Sequence, residues 1–131
     1  PLTSLKTSLQ NGFTVRKKGP RTGYYNFADI DDRFISIHHY LKWYKFGFTR
    51  LFDNLSIEIK SGRLTKDKAI KIIIEKGVQK PKKDIKELCL FLGITQKHFY
   101  QIAESFRNKN IWSKENGKWI IKNFPIENWK W

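Results

Sequence analysis

Between His38 and Arg50 the chain carries four groups suited to holding an anion: His38, Lys42, Lys45 and Arg50. Ammonium and guanidinium groups donate charge-assisted hydrogen bonds to phosphate or carboxylate oxygens, and an imidazole can add another or move a proton. At about a hundred degrees per residue, His38, Lys42 and Lys45 share one narrow sector of a helix. Phe34, Ile37, Leu41 and Tyr44 fall on one side of that sector, and Ile35, Trp43 and Phe46 on the other. A helix apolar on two sides is usually buried on both, so its charged strip must face a partner or a wet cleft. Gly47 ends the helix, and Arg50 brings a guanidinium near that end. The competing explanation is an ordinary solvated face, with lysines reaching water along their own alkyl stems and the histidine packed or capping.

The elements that position this stripe are short helices. Asp29, Asp31 and Asp32 supply capping candidates for the central helix, expected from Asp32 to Phe46. Three close carboxylates also suit a metal, but no second ligand set follows at metal-like spacing, so capping is the expectation. Asp53 reads as the N-cap of a helix from Asn54 to Lys60, or as a partner that holds Arg50. Thr65 caps the next helix, with Ala69, Ile70, Ile72, Ile73 and Ile74 as its buried face. A further helix runs from Asp84 to Leu92. Thr95 then caps one from Gln96 to Arg107, whose stripe is Phe99, Ile102, Ala103 and Phe106.

The ends differ in character. Leu2, Leu5 and Leu9 keep helical spacing, so residues 1–11 form a short helix or a loop. Arg16 to Tyr25 is a basic, glycine- and proline-broken stretch that suits either a phosphate grip or a solvated linker. Asn116-Gly117 between the apolar and aromatic runs Ile111-Trp112 and Trp119-Ile120-Ile121 predicts a β-hairpin, with Trp129 and Trp131 docking on a surface. The expected architecture is mainly α: a small bundle of short helices, an irregular N-terminal segment and a C-terminal β-hairpin. Residues 1–30 are then a basic tail of, or linker from, a preceding domain, 31–110 the helical domain, and 111–131 the hairpin with a Trp-rich tail.

Composition narrows the partners. The 131 residues hold 26 Lys+Arg against 12 Asp+Glu, a formal charge of +14, which favours anionic partners such as nucleic acid, nucleotide-linked sugars or an acidic neighbouring domain. The lone Cys89 lies in the apolar run Leu88 to Leu92, so it excludes a disulfide framework and a cysteine-based zinc site within the chain, and reads as a buried inert thiol. No signal peptide or membrane-length apolar run occurs, so a cytoplasmic location is expected. Pro1 in place of an initiating Met suggests a piece of a longer protein.

Two function classes fit. In the first, Glu87 to Tyr100 reads as helix, glycine-containing turn and helix, and a hairpin follows, as in a winged helix-turn-helix that binds nucleic acid. Gln96, Lys97, Tyr100 and Gln101 would face the groove. Any two short antiparallel helices joined in this way give the same pattern, however, and the net charge alone supports only non-specific binding to nucleic acid.

The second class comes from four stretches in order: Asp31 to Arg50, Ser56-Ile57-Glu58-Ile59-Lys60-Ser61-Gly62-Arg63-Leu64-Thr65-Lys66, Phe91-Leu92-Gly93-Ile94-Thr95, and Ser105-Phe106-Arg107-Asn108. Together they resemble the C-terminal region of the bacterial N-acetyl sugar amidotransferases, from about Gly19 to Trp112. The resemblance implies an ATP-pyrophosphatase-type enzyme that adds nitrogen to a nucleotide-linked sugar for lipopolysaccharide O-antigen or another surface glycan. It further implies ATP with Mg, bound in an N-terminal ATP-binding domain, and ammonia from a glutaminase or other ammonia-supplying subunit. The glycine-rich phosphate loop and cysteine cluster of that family have no counterpart here, so this segment alone is expected to bind no cofactor and to be inactive. On this reading His38, Lys42, Lys45 and Arg50 contact substrate phosphates, Arg63 is a further addition, His38 is also the candidate proton shuttle, and Asp53 supports Arg50.

Overall fold

A computed structural model describes residues 2–131. Pro1, and the expectation attached to it, lie outside these. Among the described residues six helices precede one hairpin: α1 (Leu2–Gln10), α2 (Ile35–Phe46), α3 (Arg50–Lys60), α4 (Lys66–Lys76), α5 (Lys82–Leu92), α6 (Gln96–Ser105), β1 (Trp112–Glu115) and β2 (Lys118–Ile121). This is the mainly α architecture expected from the periodicities.

Two apolar clusters hold it together. In one, Ile37, Tyr40 and Tyr44 of α2 meet Ile85 and Cys89 of α5 and Phe99 and Ala103 of α6. In the other, Leu51 and Leu55 of α3 meet Ala69 and Ile73 of α4, closed by Ile126 from the tail. Ile85 and Leu55 are the large side chains sealed completely, at 0% and 1% exposure, and burying each is worth about 1.5–3 kcal/mol of transfer free energy. Cys89 is a packed hydrophobe in the first cluster.

Several boundaries differ from the sequence reading, each for a local reason. α2 starts at Ile35 rather than Asp32, because Asp32 Oδ1 accepts the Phe34 N–H at 2.8 Å in a turn that precedes the helix. Asp29 caps nothing; it sits in the left-handed region at φ 56° and accepts the Thr22 hydroxyl. α3 starts at Arg50, which puts Asp53 inside the first turn rather than at the cap. α5 starts earlier, at Lys82, and α6 ends earlier, at Ser105. Thr65 and Thr95 do cap α4 and α6, each accepting a backbone N–H three residues on. Ile74, Ile102 and Phe106 were expected in buried faces but are 56%, 41% and 45% exposed, because α4 and α6 each bury a stripe narrower than the apolar pattern. The second apolar side of α2 is likewise open at Phe46, which is 51% exposed.

The hairpin is pinned to the end of α2. Its strands pair antiparallel with Trp112 opposite Ile121 and turn at Asn116-Gly117, both at positive φ. Trp112 donates its indole N–H to the Tyr44 carbonyl at 2.9 Å, and Asn108 donates its backbone N–H to the same oxygen at 3.2 Å. These bonds occupy a carbonyl that the helix end leaves free. The Arg107 guanidinium lies 4.5 Å from both the Tyr44 and Trp112 ring centres and 4.9 Å from that of Trp119, while Glu104 accepts from it at 2.7 and 3.0 Å. A planar cation between aromatic faces thus ties α6, α2 and the hairpin together.

The segment before α2 is packed against α3. Thr22 and Gly23 are buried, Tyr24 donates its backbone N–H to Asn54 Oδ1 at 3.0 Å, and the Tyr25 hydroxyl donates to Glu58. This contact brings the basic stretch beside α2 and α3.

Candidate anion-binding cleft

A cleft of about 550 Å³ opens where four segments meet: the Arg16 to Gly23 loop, α2 from Ser36 to Tyr40, the start of α3, and the α4–α5 connection with the first turns of α5. Six cationic side chains line it, Arg16, Arg21, Arg33, Arg50, Lys80 and Lys83, against two carboxylates, Asp84 and Glu87. The volume lies in the range of small-molecule sites, and the charge excess selects an anion.

Backbone geometry adds to that charge. Thr49 precedes α3 and Pro81 precedes α5; both line the cleft, and neither gives a side-chain cap to its helix. The first N–H groups of a helix have no partner within it, and the helix dipole adds partial positive charge there. Two uncapped helix starts on one basic cleft therefore favour phosphate or carboxylate.

The inner wall is a network around Asp29. Thr22 donates its hydroxyl to Asp29 Oδ2 at 2.6 Å, and the same oxygen lies 3.4 Å from His39 Nε2 and 3.6 Å from Arg50 Nε. Charge attraction to Asp29 operates at the Arg50 separation, but neither nitrogen makes a well-aligned hydrogen bond. Arg50 Nε and both ring nitrogens of His39 are buried with no hydrogen-bond partner, and so is Arg21 Nε. Arg21 is held from its other side: its Nη2 donates to the Arg33 carbonyl and lies 3.6 Å from Asp84 Oδ2, and Asp84 also accepts the Ser36 hydroxyl. Buried donors without partners cost about 1–3 kcal/mol each, a cost that a bound anion would offset.

Burial is the main influence on His39 and lowers its pKa below the usual imidazole value. Asp29 acts against this, while Arg50, His38 and Lys42 add to it. The imidazole is therefore neutral at pH 7 and offers one donor and one acceptor beside the arginines.

The sequence-predicted residues do not converge. Arg50 lines the cleft. Lys42 forms an ion pair with Asp53 and lies over the Phe48 ring at 4.5 Å, so Asp53 holds Lys42 rather than Arg50. Lys45 is exposed and lies over Phe106 at 5.0 Å; His38 is exposed beside His39. Arg63 clamps Glu58 with two bonds, at 2.7 and 2.9 Å, away from the cleft. The helical phase that would have found His39 is legible: Ser36, His39, Tyr40 and Trp43 share a face, and Arg21 belongs to the basic stretch that the sequence leaves as either a phosphate grip or a solvated linker.

No helix among the described residues is long and apolar enough to cross a membrane. No curated protein sequence matches the chain. A family model described as the C-terminal domain of WbpG-like LPS biosynthesis proteins matches residues 21–125, which take in Arg21, His39, Arg50 and the whole bundle from α2 to the hairpin. The chain thus belongs to the WbpG-like family of LPS biosynthesis proteins and carries the family's C-terminal domain.

Proposed function

We propose that this domain is the C-terminal part of an ATP-dependent N-acetyl sugar amidotransferase, and that its basic cleft holds the phosphates of a nucleotide-linked sugar. The observation that carries this reading is the set of buried, unpartnered donors on Arg21, His39 and Arg50 within a cleft that two uncapped helix starts border. Membership of an LPS biosynthesis family supports a sugar-linked anion as the ligand. Arg21 and Arg50 neutralise and position the phosphates, and the neutral His39 donates to them or relays a proton.

The cleft's own carboxylates are engaged: Asp84 faces Arg21, and Glu87 faces Arg33 and Lys83. They are committed to cations rather than free for the magnesium of a nucleotide, which takes one or two carboxylates beside the phosphates. ATP with Mg belongs, on this proposal, to an N-terminal ATP-binding domain, with ammonia supplied by a partner subunit. The test is steady-state kinetics of sugar amidotransfer by an enzyme that includes this domain. Arg50→Ala should lower kcat/KM by roughly thirty- to several hundred-fold, the effect of losing one preorganised donor to a charged group, while Lys45→Ala stays near wild type. Equal, small effects of both substitutions would remove the cleft from the reaction.

A further inference from the structure

The last turn of α5 ends in three consecutive large apolar side chains, Leu90, Phe91 and Leu92, which are 73%, 79% and 53% exposed. Successive residues turn by about a hundred degrees, so the three spread over about two hundred degrees of the helix circumference. A protein groove that receives a helix takes a stripe at i, i+3, i+4 and i+7, on one side only. A fluid lipid layer can surround a helix end on all sides at once. Cations stand behind this tip. Lys86 lies one turn before Leu90, Lys82 a further turn back, and Lys97 in the first turn of α6 across the Gly93 to Thr95 turn; all three are exposed. The acids of α5 are directed elsewhere, Asp84 to Arg21 and Glu87 to Arg33 and Lys83.

We propose that this tip is a peripheral membrane-docking surface, which seats Leu90, Phe91 and Leu92 at the acyl boundary of an anionic lipid layer with Lys86 and Lys97 among the headgroups. Four residues of helix rise about 6 Å, so Lys86 stands at headgroup level when Leu90 reaches the depth of about 5–10 Å typical of interfacial segments. The backbone at the tip is already closed on itself. Gly93, left-handed at φ 67°, and Ile94 donate their N–H groups to the Leu90 and Cys89 carbonyls at 3.3 and 3.0 Å. Fewer polar groups then lose water when the tip enters an apolar layer. Three side chains alone give marginal, reversible attachment, and lysines held at an anionic surface supply the second signal. A nucleic acid would pair with the lysines but leave Leu90 and Phe91 without an apolar contact.

The surface does not rest on the phosphate cleft or on the amidotransfer reading. The experiment is flotation of the 131-residue chain with phosphatidylcholine vesicles that hold about a third phosphatidylglycerol, beside vesicles of phosphatidylcholine alone. The anionic vesicles should bind roughly tenfold more strongly or better, and salt should weaken that binding. Phe91→Ser should weaken it roughly fivefold or more without changing the unfolding temperature, because the side chain is exposed, while Phe91→Trp retains it. Lys86→Gln and Lys97→Gln should each weaken it severalfold. Lys114→Gln removes the same charge from the hairpin, which is tied to the far end of α6, and should stay within about twofold of wild type. No preference for anionic vesicles, undiminished binding by Phe91→Ser, or an equal loss with Lys114→Gln would overturn the assignment. Self-association that Phe91→Ser abolishes, without vesicle binding, would give the tip to a second copy of the chain, and binding of a DNA duplex with the same dependence on Phe91 would give it to nucleic acid; either would overturn it too.

Discussion

Arg50 Nε stands 3.6 Å from Asp29 Oδ2 and is buried without a hydrogen bond, held near a carboxylate yet free to donate. The carboxylate keeps the guanidinium in place, and Thr22 takes part of the charge of Asp29 through the 2.6 Å bond between them. An arginine positioned but not consumed in this way is prepared for an incoming anion, which lowers the ordering cost of binding.

The loop beside Arg50 depends on Gly23. Its φ is 63°, and a Cβ there would lie 2.2 Å from Asn54 Oδ1 and 3.0 Å from Arg50 Cγ. Gly23→Ala should therefore displace Asn54, which holds the Tyr24 N–H, and destabilise the fold by about 1–3 kcal/mol through strain and a lost buried bond. Urea unfolding of the variant checks this, and a wild-type midpoint would show that the loop moves freely.

A pH dependence follows from Glu58. Hydrogen bonds from Arg63 and then Tyr25 hold its carboxyl down to about 2. A carboxylate with a depressed folded value contributes stability above its unfolded value, here about 4.5, and that contribution is lost as pH falls from about 4.5 towards 2. The stability difference between wild type and Glu58→Gln should be full at pH 6 and shrink across that window, as read by chemical denaturation. Tyr25, pushed up to about 12 by burial and by Glu58, works in the opposite sense: its contribution is complete below pH 10 and fades towards pH 12.

His39 supplies a site-specific titration. Burial lowers its pKa, so the imidazole should take up its proton below the ordinary histidine midpoint of 6.5. A phosphate anion in the cleft favours the charged ring, so adding inorganic pyrophosphate should move the midpoint upward. Proton NMR of the three histidines, assigned with His38→Gln and His98→Gln, reads both effects. A His39 midpoint at or above 6.5 without ligand, or one indifferent to pyrophosphate, would contradict the placement.

The helices were legible in the sequence because Thr65, Thr95, Gly47 and Gly93 mark their ends with strong local preferences, and Asn116-Gly117 marks the hairpin in the same way. The site was legible only in part. Helical phase puts His38, Lys42 and Lys45 in one sector of α2, but phase does not say which side of the helix meets the basic loop. That depends on Tyr24 finding Asn54 and Tyr25 finding Glu58, contacts across some thirty residues with no local signature. Asp53 looked like a cap because aspartate before an apolar run usually is one, whereas α3 starts at Arg50, and Asp53 in its first turn pairs with Lys42. Arg50, one of the residues the sequence offers for anion contact, lines the cleft, and it is the folding back of the loop that brings Arg21 and His39 beside it.

The central claim is that the cleft of Arg21, His39 and Arg50 is the anion site, and isothermal titration of the chain with a UDP-linked N-acetyl sugar tests it most directly. Binding should be saturable and weaken with salt, as expected for phosphate neutralised by fixed cations. Arg50→Ala and Arg21→Ala should each weaken it tenfold or more, about 1.4 kcal/mol, while Lys45→Ala and Lys42→Ala remain within about threefold of wild type. Loss of binding on substituting Lys42 or Lys45, with Arg21→Ala and Arg50→Ala unaffected, would instead place the site on the exposed stripe of α2 and contradict the account.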